Sequence, residues 1–469
     1  MVNILCFFNN VYVPLELSIF VSSFCFLCIY TDFKSNKIGM AALVVILVYF
    51  LPFIHIIPYL WFDFSSNPTL MWGLIANPYN TDEEIIKLTA TLGSTGALSF
   101  VFVNSFIKKE ILYDKGISNL GMPIKQFTTL PLYLWALLVI AGIYLSYISA
   151  PEESVFMSSY TESSTISRNA NFSSAWLISY IFIIFAFVDA NIESNLNLRR
   201  LKLFLSFISI AYIVIVLQFL RGDRESLPWI FALFLIYSYW CANYRLNKRK
   251  YSINKFKIFT YFSIFLISSF VVGALRSNVS GADLALAVDI FLEILSSEGG
   301  DINNFIKGTW TAVLLTPLSV AGDYVNNLHE FNYGSDYYGL LASSMPGFVA
   351  DTFDIDRPFA LGSGPAQEMT YGLGGTHAVV VPFRAFGIPG IFLIISIWYA
   401  LLVYAERKLL SRFNIFSISF IAMIVSVSAH WLWYGEKNIL NGIIIYIVIS
   451  LIYVAFLLIG HSSKSKIKI

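Results

Sequence analysis

Apolar runs of about 20 residues recur along nearly the whole chain, and they limit its fold more than any other feature. About 20 residues at 1.5 Å each cross the hydrocarbon of a bilayer. Backbone inside that layer must satisfy its own N–H and C=O groups, which leaves helices or a closed barrel. A barrel needs short strands of alternating polarity, and these runs are continuous. Apolar residues make up 57% of the chain and charged residues 13%, against about 25% in a soluble domain. The mean hydropathy is +0.71. The expected fold is therefore all-α and polytopic in a membrane, one integral domain over 1–469. No basic segment precedes the first run, so it is read as a retained span rather than a cleaved signal. The four cysteines lie in or beside apolar runs, which suggests no disulfide framework. Cys25 and Cys28 are read as packing groups.

About 11 spans are expected, at 11–30, 38–61, 88–107, 132–150, 175–192, 203–220, 229–244, 258–275, 388–405, 415–433 and 439–460. An apolar run at 309–320, interrupted by Pro317, is short for a span and reads as re-entrant or as a buried loop helix. Two more spans in that region would raise the number to 13 without changing the side of anything downstream. Alternate loops hold 21 of the 30 Lys and Arg, which assigns those loops to the cytoplasm. The N-terminus and the long loop at 276–387 then lie outside, and the C-terminus lies inside.

The other nine basic residues lie on the side where they are disfavoured. Arg221 and Arg224 follow the sixth span, Arg276 follows the eighth, and Arg384 precedes the ninth. Four guanidinium groups at one interfacial level suit an anion with phosphate oxygens, which Arg grips bidentately. The competing reading is snorkelling, or pairing with neighbours such as Asp223 and Glu225. Within the long loop, 283–298 reads as an amphipathic helix. The polar stretch at 323–371 mixes Tyr and Phe with Asp and Asn, which suits sugar rings and equally suits a small loop core. Asp354-Ile-Asp356 has the form of a metal-binding DxD, but so short a pattern assigns no metal. Two residues are candidate bases. His377 sits in Gly374-Gly-Thr-His-Ala378, where backbone approaches a ligand closely. Glu436 sits in a short outer turn beside Lys437. His377 is preferred, because Arg384 follows it closely.

The order of these motifs resembles the Wzy family of oligosaccharide repeat-unit polymerases, which includes O-antigen and enterobacterial common antigen polymerases. The resemblance runs over about 203–459: Gly222-Asp-Arg224, then Leu275-Arg-Ser-Asn-Val-Ser-Gly281, then Met345-Pro-Gly347, Arg357-Pro358, the His377 segment, Phe386-Gly-Ile-Pro-Gly390 and a late turn with Glu436. The Gly-x-Arg turn departs from the Gly-Gly-Thr-Arg form of some members, so which Arg takes the family's role stays open. The resemblance implies a GT-C-like helical fold in the bacterial cytoplasmic membrane. It implies transfer of a growing glycan from undecaprenyl diphosphate to a new lipid-linked repeat unit at the outer face, without a cofactor or metal. His377 and Glu436 would be the catalytic candidates, and Arg221, Arg224, Arg276, Arg357 and Arg384 the diphosphate-binding ones. Membrane lipid, a chain-length regulator and a flippase would be partners, and nucleic acid would not. Two rivals stand beside this reading: an O-antigen ligase with the same membrane plan, and a non-enzymatic polysaccharide flippase.

The charge distribution generates a topology prediction. Reporter fusions near Lys250 should report the cytoplasm, and fusions near Asn327 the outside. A cytoplasmic signal from the second position would overturn the placement of the long loop.

Overall fold

The structure is a computed structural model that describes residues 12–35, 37–60, 82–107, 129–150, 175–215, 232, 311–328, 331–344, 352–355, 377–410 and 415–466. Among the described residues all regular structure is helical. The helices are α1 (Leu15–Lys34), α2 (Met40–Phe50) with a 3₁₀ continuation (Leu51–Leu60), α3 (Glu83–Phe106), α4 (Leu132–Ser149), α5 (Ala175–Ile192) and α6 (Leu196–Ile215). After these come α7 (Thr311–Val325), α8 (Ser335–Ser344), α9 (Val380–Leu410), α10 (Ile415–Ser426), α11 (Ser428–Tyr434) and α12 (Lys437–Lys466). Five of the described helices, α1, α3, α4, α9 and α12, are long and apolar enough to cross a membrane. The described helices fall into two compact units. One holds α1–α3, α7, α8, α9 as far as Glu406, α11 and the start of α12 to Asn441; the other holds α4–α6, α10 and α12 from Gly442.

In the first unit α1 packs along α3, and α7 packs on α3 and on the 3₁₀ segment. Asp82 caps α3 by accepting the Glu84 and Ile85 N–H groups at 2.9 and 3.3 Å. The buried face of α3 is small and hydroxylated. Thr89 and Thr95 return their hydroxyls to carbonyls one turn back, so the face carries polar atoms without orphaning them. A methyl at Gly93 would meet the Phe53 ring and one at Gly96 the Tyr49 phenol, so the two glycines let aromatic side chains of the neighbouring segment seat against the α3 backbone. The Tyr49 hydroxyl completes that contact by donating to the Gly93 carbonyl at 3.0 Å.

Three expected spans differ in form from the observed helices. The span expected over 38–61 changes to 3₁₀ geometry after Phe50, where Pro52 has no N–H to return to the Val48 carbonyl. The span expected over 388–405 starts eight residues earlier, at Val380, and is kinked. Phe386 leaves helical geometry and Gly387 takes φ 68°, a region open to glycine, just before Pro389. The span expected over 415–433 divides into α10 and α11 at Val427. The starts of α3 and α6 also lie earlier than expected, at Glu83 and Leu196. The short run around Pro317 is α7, 15 residues long and below the length of a span. Its Leu314, Leu318, Val320 and Ala321 are fully buried. The expected spans over 229–244 and 258–275 lie outside the described residues apart from Ala232, as does the expected helix over 283–298.

The second unit is held by a polar knot. Lys202, which follows Arg199 and Arg200, is fully buried on α6. Its ammonium donates to Asp189 at 2.8 Å, to Glu193 at 2.9 Å and to the Leu130 carbonyl at 2.8 Å. Asp189 also accepts the Tyr453 hydroxyl at 2.7 Å and the Leu130 N–H at 3.0 Å. Three donors of the ammonium and both carboxylates are thus engaged, which is the condition for keeping charges out of water. The knot ties α5, α6, α12 and the entry of α4 together.

Removing one charge from this knot leaves the others unpaired. Lys202→Met should cost about 3–5 kcal/mol, read as a fall in thermal stability of the detergent-solubilised protein. Adding Asp189→Asn and Glu193→Gln to Lys202→Met should recover most of that loss. No recovery in the triple variant would show that the cost is packing rather than charge.

Candidate functional site

Of the seven residues proposed as the site, the structure describes His377, Arg384 and Glu436; Arg221, Arg224, Arg276 and Arg357 lie outside the described residues. His377, Arg384 and Glu436 all belong to the first unit, near the break in α2, the kink in α9 and the turn between α11 and α12.

His377 is fully buried. Its ring packs edge-on against Tyr49 and Phe53, with centroids 5.0 and 4.9 Å away. Nε2 lies 3.4 Å from the Tyr49 carbonyl, and Nδ1 lies 3.4 Å from the Val379 N–H. A carbonyl only accepts and an N–H only donates, so the ring is neutral with its proton on Nε2. Burial pushes the imidazole down to about 3, against a small opposing effect of the Tyr49 carbonyl.

The reason for this placement lies in α2. Pro52 has no N–H to return to the Val48 carbonyl, its α-helical partner, or to the Tyr49 carbonyl, its 3₁₀ partner. The Trp433 indole donates to the first at 2.9 Å, and His377 faces the second. His377 therefore closes a helix end. The Ala378 N–H donates to the Leu432 carbonyl at 2.8 Å and holds this entry to α9 against α11.

Glu436 differs in every respect. Gly435 ends α11 with φ 103°, and Glu436 occupies the turn before α12, where its carbonyl accepts the Leu440 N–H at 3.2 Å. Its side chain is 1% exposed. Oε1 accepts the Tyr337 hydroxyl at 3.3 Å, and Oε2 has no hydrogen-bond partner among the described residues. Burial pushes the carboxyl up to about 7, with Asp336 adding to the rise while the residue's own N–H and Tyr337 oppose it.

Tyr337 and Asp336 come from α8, which lies within the polar stretch over 323–371. Gly334, with φ 94°, and the Asn332 side chain, which accepts the Gly334 N–H at 3.1 Å, form the turn that starts it. Asp336 faces Arg384, Oδ2 to Nε at 3.2 Å, and the Asn332 N–H donates to the Arg384 carbonyl at 3.1 Å. The kink at Gly387 thus presents a short N-terminal piece of α9 to the loop. The Glu436 carboxyl, the Tyr337 phenol and the Arg384–Asp336 pair are thus brought together. Among the described residues no three His, Cys, Asp or Glu form a metal-holding group.

No family model matches the chain, and neither a curated protein nor a solved structure matches it.

The raised carboxyl of Glu436 makes stability depend on pH. The folded value, about 7, lies above the ordinary 4.5, so the stabilising contribution is full below 4.5 and is lost as pH rises through 7. Glu436→Gln should match the wild type near pH 4.5 and exceed it at pH 8, by on the order of 3 kcal/mol. The burial of His377 acts in both proteins and cancels in this difference. Thermal unfolding in detergent at the two pH values measures it, and equal stabilities at pH 8 would contradict the assignment.

Proposed function

We propose that the chain is an oligosaccharide repeat-unit polymerase of the bacterial cytoplasmic membrane, with about eleven spans in a GT-C-like arrangement and its site at the outer face. One observation carries the reading beyond the motif order: the buried carboxyl of Glu436, at about 7 and with one oxygen unpartnered among the described residues. A general base works best when its pKa lies near the working pH.

In the proposed reaction the acceptor sugar's hydroxyl oxygen attacks the anomeric carbon of the growing glycan. The new C–O bond forms as the bond to undecaprenyl diphosphate breaks. The hydroxyl proton passes to Glu436, and the electron pair leaves with the diphosphate. Arg384 supplies fixed positive charge where that negative charge develops, and Asp336 orients it. Arg221, Arg224, Arg276 and Arg357 stay in the proposal as further diphosphate ligands. His377 passes from base to structural residue, because both of its nitrogens face backbone groups and burial keeps the ring neutral.

The test uses polymerisation of a lipid-linked repeat unit by purified variants, alongside the lipopolysaccharide ladder of a complemented deletion strain. Glu436→Gln should lose about 10²–10⁴-fold in rate and leave a single repeat on the core. Arg384→Lys should lose at least about tenfold, since an ammonium keeps the charge but not the fork. His377→Gln should lower stability while its residual activity keeps the wild-type pH profile, rising through about 7. Long-chain ladders from both Glu436→Gln and Arg384→Lys would overturn the proposed site. Loss of every repeat from the core in the deletion strain would favour a ligase.

A further inference from the structure

A small cavity lies among α2, α3, α9 and α11, lined by Phe100, Trp398, Tyr399, Trp431 and Glu436 among others. The volume open to a water centre is about 10 Å³, the room of one water. Most of the lining side chains are aromatic or aliphatic, and an apolar cavity of this size stays dry. Two of the lining residues change that. Glu436 is 1% exposed and Trp431 5% exposed. Glu436 Oε2 and Trp431 Nε1 are both buried without a hydrogen-bond partner among the described residues. One is an acceptor and the other is a donor only. Leaving either unsatisfied costs far more than immobilising a water that serves both.

We propose that this cavity is a binding site for one ordered water, which accepts from the Trp431 indole and donates to Glu436 Oε2, making Trp431 a positioning residue for that carboxylate.

The water aligns the second carboxylate oxygen while Tyr337 holds the first, so the side chain has both oxygens fixed. The bridge also stabilises the ionised form, since the donor chain ends on the charged oxygen. The groups that face Glu436 from its neighbours are Tyr337 and Asp336 on α8, with Arg384 on α9 paired to Asp336; Lys437 follows it in the chain, and α9 adds the Tyr399 phenol, which donates to Asn104 of α3. The Trp431 indole shares the cavity lining with the carboxylate. The catalytic consequence rests on the reading of Glu436 as the base, whereas the water site itself does not.

The experiment is an infrared pH titration of the Glu436 carboxyl in the purified full-length protein, with Glu436→Gln identifying the band. Trp431→Phe removes the indole donor and should move the midpoint upward by on the order of one pH unit. Trp398→Phe makes the same change of ring in the same cavity and should leave the midpoint in place. The pH profile of polymerisation should follow the Trp431→Phe shift. An unmoved midpoint in a folded Trp431→Phe protein overturns the bridge. Should that variant fail to fold, electron density of the wild type decides: a single peak between Trp431 Nε1 and Glu436 Oε2 supports the site, and an empty cavity overturns it. A shifted midpoint together with full activity of Glu436→Gln would keep the water site and remove only the catalytic reading.

Discussion

A buried polar backbone group needs a partner inside the protein, and the first unit is arranged around the places where α2 fails to supply its own. Gly39 offers no side chain to cap the start of that helix. Glu406, 365 positions away from Ala41, does so by accepting the Ala41 N–H at 2.9 Å and the Ala42 N–H at 3.3 Å. A carboxylate there also meets the positive end of the helix dipole. At the other end, where Pro52 supplies no N–H, the Val48 carbonyl accepts the Trp433 indole and the Tyr49 carbonyl faces His377. One short helix thus draws in the late part of α9, the entry to α9 and α11. Each contact joins segments more than 300 residues apart within the first unit.

The same rule explains which parts of the fold were legible in the sequence. Hydropathy placed α4 over 132–149 and α5 over 175–192 almost to the residue, because nothing in those runs breaks the helix. It failed where one residue changes the geometry of an apolar run. Pro52 and Gly387 were visible as residue types, but a proline or glycine inside an apolar run is compatible with several outcomes in a membrane. The division at Val427 had no such marker. Lys202 looked like a loop residue because it follows Arg199 and Arg200, and only its three acceptors, one of them 72 positions away, make burial affordable. Helix α8 was hidden because Ser335–Ser344 is mostly polar and small, and its helical form depends on the turn at Gly334 and on its contacts with Arg384 and Glu436.

For the described candidates, His377, Arg384 and Glu436, the sequence shows the residue types and not their surroundings. His377 and Glu436 were both visible as isolated titratable groups beside helix starts. A sequence gives a histidine its ordinary value near 6.5, and on that basis the imidazole is the better base at neutral pH. Burial reverses the order. The charged form of histidine is the protonated one, so burial lowers its value, while the charged form of glutamate is the ionised one, so burial raises it. Two groups that start at about 6.5 and 4.5 are pushed past each other, to about 3 and about 7. Which residue can exchange a proton near neutral pH is therefore decided by packing, and the packing around both traces to interrupted helices.

Those interruptions fall in one region of the first unit. Continuous helices present side chains on a cylinder and keep their backbone groups to themselves. A polar site between helices needs free backbone groups and side chains that leave the cylinder. The break at Pro52, the kink at Gly387 and the turn at Gly435 provide both, and His377, Arg384 and Glu436 each stand within a few residues of an interruption or pack directly against one. Helix α8 packs its Asp336 and Tyr337 onto the residues so displaced. These polar groups accordingly sit where the helical ladder is already open, and the uninterrupted α1 exposes apolar side chains such as Phe20, Phe24 and Leu27.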